Sequence, residues 1–279
     1  MTRERFRPFT GDAASRVNLE KNALALVLCQ VRWPDLRNLR DLEQLGALVR
    51  SLDEAFADYP EVREGQELAF NITPVGVAPV PGEQMHEWLS GDGAWIATFS
   101  KHSFSLSCIR GYTRFEEFTE RLQPLLDSVL AEDRPPRLER VGVRYVNRFS
   151  DDDVLANPAA MFHGFGQPLT AANDSVQLLN ATQQCTYGID DLLMMIIPTQ
   201  TAYEVRSGYV PPEQTVDPMI PPVAGDSWVL DLDSFKQDAT VADPGTVMAV
   251  VQKLADINYD YFKHAATEAF LELHGGGGA

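Results

Sequence analysis

Arg140, Arg144 and Arg148 recur at every fourth position through Arg140-Val141-Gly142-Val143-Arg144-Tyr145-Val146-Asn147-Arg148. On an extended strand alternate residues share a face, so the three guanidinium groups line one side over about 13 Å, at ~3.3 Å per residue. A guanidinium offers paired N–H donors that match a phosphate or a carboxylate, which makes the row a candidate anion site. The same row also suits ion pairing with Asp151 or with carboxylates on a neighbouring strand. The opposite face would carry Val141, Val143, Tyr145, Asn147 and Phe149, a core surface. A regular strand therefore keeps Tyr145 and Asn147 away from Arg144 unless it bulges at Gly142 or a pocket lies at the strand's end.

A second pair of candidates lies in Leu230-Asp231-Leu232-Asp233. Asp231 and Asp233 share one strand face, the arrangement that acid/base or Mg²⁺ chemistry needs. The same alternation describes a solvent face opposite Trp228, Leu230 and Leu232. Asp151-Asp152-Asp153 reads as a solvated acidic loop.

Other chemistry is hard to place. The chain has no Gly-x4-Gly-Lys phosphate loop, no Rossmann glycine fingerprint, no His-Glu-x-x-His and no Gly-x-Ser-x-Gly elbow. His86, His102, His163, His264 and His274 show no ligand spacing, so neither a metal nor any other cofactor is expected. Cys29, Cys108 and Cys185 are far apart and read as free thiols in a reducing compartment.

The whole chain sets the frame for these candidates. Its 279 residues are 44% hydrophobic and 23% charged, ordinary for a folded protein large enough to need no disulfide. The formal charge of −17 argues against a nucleic-acid surface, which demands clustered Lys and Arg, and favours solubility or a basic protein partner. The longest apolar runs, Ala23–Cys29 and Leu192–Pro198, fall far short of the roughly 20 residues that cross a bilayer. Met1–Arg7 is followed by no apolar signal-peptide core, so the expectation is a cytoplasmic protein with no membrane partner.

Periodicity then supplies the elements. Strands are expected at Ala23–Trp33, Glu67–Thr73, Ala94–Ser100, Ser103–Tyr112 and Leu138–Phe149, with Lys101-His102 as a hairpin turn. The stretch carrying Pro74, Pro79 and Pro81 is expected to be a loop. Apolar residues at three- and four-residue steps predict a helix from about Asn38 to Ala57. A second helix follows Thr113, capped by that residue with Glu116 as a capping box. Later strands are expected at Val176–Gly188, Leu192–Pro198, Tyr203–Tyr209 and Trp228–Asp233, with a turn at Asp190-Asp191. Asp243-Pro244 opens a single long C-terminal helix whose face runs from Val247 to Leu273.

The resulting fold class is α+β: two tandem units of mostly antiparallel sheet with helices packed on one face, ending in a long C-terminal helix. Residues 1–20 form a polar lead-in, 21–150 and 151–274 the two units, and 275–279 a flexible glycine tail.

The segment Gly111-Tyr112-Thr113-Arg114-Phe115-Glu116-Glu117-Phe118, the strand Arg140–Arg148, and Leu230-Asp231-Leu232-Asp233-Ser234-Phe235 ahead of a long helix together look like a family of bacterial proteins. Its members are of similar length and sporadic distribution. The resemblance implies a link to mobile elements or phage defence, and it carries over no functional residue.

The functional expectation is a non-catalytic binding or assembly protein that acts through a protein partner or as a homo-oligomer, at a sheet face or edge. The rival is a small-ligand sensor for an anion or nucleotide, or an enzyme, with a pocket between the two units. Its ligand would meet Arg140, Arg144, Arg148, Asp231 or Asp233.

Overall fold

The computed structural model describes residues 6–9, 19, 21–36, 42–73, 76–131, 137–165, 181–189 and 201–275. They form an α+β fold built on one nine-stranded sheet. In chain order the strands are β1 (Leu24–Arg32), β2 (Glu61–Thr73), β3 (Gly76–Leu89), β4 (Trp95–Ser100), β5 (Ser103–Cys108), β6 (Arg137–Phe149), β7 (Ala181–Ile189), β8 (Thr201–Val210) and β9 (Ser227–Val241). The helices are α1 (Leu42–Ala55), α2 (Phe115–Val129), α3 (Asp152–Ala156), α4 (Pro158–Met161), α5 (Pro244–Ala265) and α6 (Glu268–Leu273). Across the sheet the order is β2-β3-β4-β5-β1-β6-β9-β8-β7. The run β2 to β5 and the run β7 to β9 are antiparallel throughout.

Two compact units divide the chain, and both are discontinuous in sequence. One comprises Met1–Val27, Val143–Lys236 and Val251–Ala279; the other comprises Leu28–Gly142 and Gln237–Val250. The division passes within β1, β6, β9 and α5, while the sequence expectation was two consecutive units at 21–150 and 151–274.

In the unit containing Leu28–Gly142, α2 buries Phe115, Phe118, Leu122, Leu125, Leu126 and Val129, the three- and four-residue stripe that predicted it. Phe56 packs edge-on against Trp88, with ring centroids 4.9 Å apart, and Trp95 meets Phe118 at 5.6 Å. The buried Trp88 satisfies its indole by donating to Asp53 Oδ1 at 2.7 Å. Lys101-His102 is the expected hairpin turn, since Ser100 and Ser103 stand in register on either side of it.

In the other unit, the part of α5 from Val251 onward is fixed by polar contacts inside an apolar layer. Ser234 Oγ, fully buried, donates to Val143 O and Leu254 O, and Asn258 Nδ2 donates to Val143 O at 2.9 Å. Phe149, Phe162, Trp228 and Phe270 form an aromatic cluster at centroid distances of 4.6–6.0 Å.

Several expectations change. The proline-rich stretch expected as a loop includes strand β3, which pairs with β2 from Thr73↔Gly76 to Leu68↔Pro81 and, after a register shift between Leu68 and Gln66, from Gln66↔Gln84 to Glu61↔Leu89. Proline is tolerated in a strand where its nitrogen faces away from the ladder, and Pro79 and Pro81, two residues apart, face the same way. Asp152 and Asp153 belong to the first turn of α3, where the helix N-terminus favours negative charge, and not to a loop. Helix α2 starts after Arg114; Thr113 makes no cap and donates instead to Glu117 Oε2. The single C-terminal helix is two: the chain breaks at Ala266, and Thr267 caps α6 by accepting from Phe270 N. Asp243 does cap α5, accepting from Thr246 N at 2.8 Å. The Leu192–Pro198 strand, the Asp190-Asp191 turn and the tail beyond Gly275 lie outside the described residues.

Candidate functional site

The arginines of β6 meet three different fates. Arg140 is half-buried, with Nη1 3.5 Å from Gln30 Oε1. Its guanidinium lies over Gly142, two residues along on the same face, in space that a Cβ would occupy. A side chain at 142 would have to push that guanidinium aside, which the flexible arginine stem allows. Arg148 donates from Nε to Ser227 Oγ at 2.9 Å and from Nη1 to Pro221 O at 3.0 Å. Burial lowers its pKa.

Arg144 is held on two sides. Nε and Nη2 donate to the two carboxylate oxygens of Asp231 at 2.8 and 2.9 Å, and Nη1 donates to Asp217 Oδ2 at 2.8 Å. Burial opposes its charge. The hydrogen bonds and charge of Asp231, joined by those of Asp217, outweigh that penalty and raise its pKa. Asp217 comes from the segment joining β8 to β9, and it also accepts from Met219 N at 2.9 Å. An arginine engaged in this way has its fork already filled by carboxylates.

β8 and β9 carry further charges on the same face. Arg206 stands in register with Asp231, and Glu204 with Asp233. Glu204 Oε1 accepts from Arg206 Nε at 2.8 Å and from Gln184 Nε2 of β7. This face therefore sets Arg144 and Arg206 against Asp217, Asp231, Glu204 and the half-buried Asp233. Its balance is negative, the opposite of what binds phosphate. As an acid/base pair Asp231 and Asp233 fare no better, because both oxygens of Asp231 already accept from Arg144. Among the described residues no group of three or more His, Cys, Asp or Glu side chains is placed to hold a metal.

Of the five sequence candidates, the structure thus brings Arg144 and Asp231 into contact. Arg140 and Arg148 have separate polar partners, and Asp233 stands two residues along the same strand face. The ion-pairing alternative, with carboxylates on a neighbouring strand, describes what Arg144 does.

One binding arrangement was missed. The sequence suggested a loose lead-in over residues 1–20, yet residues 6–9 are anchored on α5. Asp256 and Asp260, 5% and 2% exposed, accept from the backbone N–H of Phe6 at 3.3 Å and of Phe9 at 2.7 Å. Phe9 inserts among Tyr187, Tyr203 and Tyr261 at centroid distances of 5.8, 5.4 and 5.0 Å, and Lys253 Nζ sits 4.4 Å above the ring of Phe6. Burial raises the pKa of each of these three phenols. The available signal was the pair Asp256 and Asp260, one helical turn apart beside the apolar stripe of α5. A buried carboxylate needs donors, and here two backbone amides supply them.

Among the described residues the sheet has two end strands. β7 ends one side, with Tyr187 38% exposed. β2 ends the other. The β2–β3 hairpin also outruns its neighbour: β4 pairs with β3 only over Met85–Leu89, while β2 and β3 stay paired as far as Thr73 and Gly76.

Fold and site together describe an α+β protein whose Arg144 is held by its own carboxylates on a face of negative balance. No family model matches the chain, and no curated protein and no solved structure matches it.

Proposed function

We propose that this is a non-catalytic binding protein that assembles with a protein partner through the β2–β3 hairpin. The supporting observation is that hairpin's reach beyond the sheet. From Gln66 to Gln84 it has no third strand beside it among the described residues. A two-stranded hairpin is marginal in water by itself and gains from a further strand or an apolar cover. Residues 68–82 of this arm contain no charged side chain in a chain of net charge −17. An open, uncharged strand edge is a template for strand addition.

Against the rival ligand-binding reading, the Arg144 fork is filled by the protein's own carboxylates. The resemblance to sporadically distributed bacterial proteins makes a phage-defence or mobile-element module the setting in which to seek the partner.

Affinity purification of the full chain from its native host tests this reading. A stoichiometric protein should come down with the wild type and be lost with Phe70→Lys, which puts a charge at the centre of the apolar stretch of β2. Recovery of the same protein by both forms would remove the hairpin from the reading.

A further inference from the structure

We infer that the partner at the β2 edge is a second copy of this chain, added β2 to β2 in antiparallel register about a two-fold axis at Phe70. The inference rests on the hairpin being the binding element and names its occupant.

The two edges of the arm differ in backbone chemistry. β3 carries Pro79 and Pro81, in register with Phe70 and Leu68. Neither proline has an N–H to give, so the outer side of β3 is closed to a further strand. β2 has no proline between Glu61 and Thr73, and Pro60 and Pro74 flank it. Strand addition is therefore directed to β2.

Charge then selects the register. Two copies of net charge −17 repel, so a self-contact must avoid facing carboxylates. Centred on Glu64, antiparallel self-pairing would set Glu64 against Glu64 and Glu61 against Glu67, the like-charge pairs that destabilise a sheet. Centred on Phe70, it sets Phe70 against Phe70, Leu68 against Ile72, Ala69 against Asn71, and Glu67 against Thr73. No like charges meet, and Phe70 opposes Phe70 and Leu68 opposes Ile72, with Asn71 opposite Ala69 the polar exception. Such a contact is isologous, the closed symmetry of most homodimers.

Sedimentation velocity of the full chain at micromolar concentrations tests the inference. The wild type should be a dimer. Phe70→Lys and Phe70→Glu should each be monomeric, and circular dichroism should show both folded. Mixing the two variants should restore the dimer, because lysine then opposes glutamate at the axis.

A wild type that stays monomeric throughout, or a dimer indifferent to both substitutions, overturns self-pairing. If a monomeric wild type still captures a host protein that Phe70→Lys does not, the second copy is excluded while the binding reading stands. If host capture ignores Phe70→Lys, the hairpin is removed from the binding reading, whatever the outcome for self-pairing.

Discussion

The guanidinium of Arg144 and the carboxylate of Asp231 face each other through two parallel hydrogen bonds, Nε to Oδ1 at 2.8 Å and Nη2 to Oδ2 at 2.9 Å. The Arg144 side chain is 21% exposed and that of Asp231 8%, and Asp217 closes the remaining side. Removing one member of so enclosed a pair leaves its partner charged and unpaired, and the loss exceeds what the pair contributes relative to an apolar replacement.

Arg144→Met should therefore destabilise the protein by about 3 kcal/mol, the low end for breaking a buried pair. Chemical denaturation is the measurement. Combining Arg144→Met with Asp231→Leu and Asp217→Asn should recover much of the loss. A single-variant cost below about 0.5 kcal/mol, the scale of an exposed pair, would show that the cluster is solvated and does not lock the strands together.

The sequence made the elements with a strong period legible and concealed those decided by tertiary contact. The stripe from Phe115 to Leu126 specified α2 because an amphipathic helix needs little else. β3 was hidden by Pro79 and Pro81, whose usual meaning as strand breakers fails where the nitrogen faces outward. The break at Ala266 was hidden because Ala265, Ala269 and Leu273 keep the helical spacing across it. What ends α5 is local: Thr267 turns its hydroxyl to the Ala160 and Met161 carbonyls while capping α6. At the site, spacing identified Arg144 and Asp231 individually. Their pairing depends on β6 and β9 being neighbours in a sheet whose order does not follow the chain.

Ionisation of the tyrosines gives a pH prediction. Burial is the first cause of the raised pKa of Tyr59, Tyr187, Tyr203 and Tyr261, and Tyr209 is pushed up to about 12 chiefly by its hydrogen bond to Asp226. In the unfolded chain a phenol releases its proton near pH 10. The folded state keeps protons that the unfolded state gives up, so stability is full below pH 10 and falls as pH rises through the folded-state values. A spectrophotometric titration should find fewer than the eight tyrosines ionising near pH 10 while the fold persists, with the remainder appearing on alkaline unfolding. Reversible ionisation of all eight near pH 10 in a folded protein would contradict the buried cluster around Phe9.

Gly208 shows how β7 is held at the end of the sheet. It stands in register with Thr182, and a methyl group on it would run into the backbone carbonyl of Ala181. Relief requires either a shift of β7 or a twist of β8, and overpacking of this kind costs about 1–3 kcal/mol. Gly208→Ala should lower the thermal midpoint and speed amide hydrogen exchange across Ala181–Ile189, leaving β2 to β5 unchanged. Gly188 is the control: it lies in β7 itself, has nothing within 4 Å of an added Cβ, and should accept alanine at no cost. Equal tolerance of alanine at both positions would mean that β7 does not sit against β8 at this spacing. The anchoring of Phe9 beside Tyr187 of that strand would then lose its support as well.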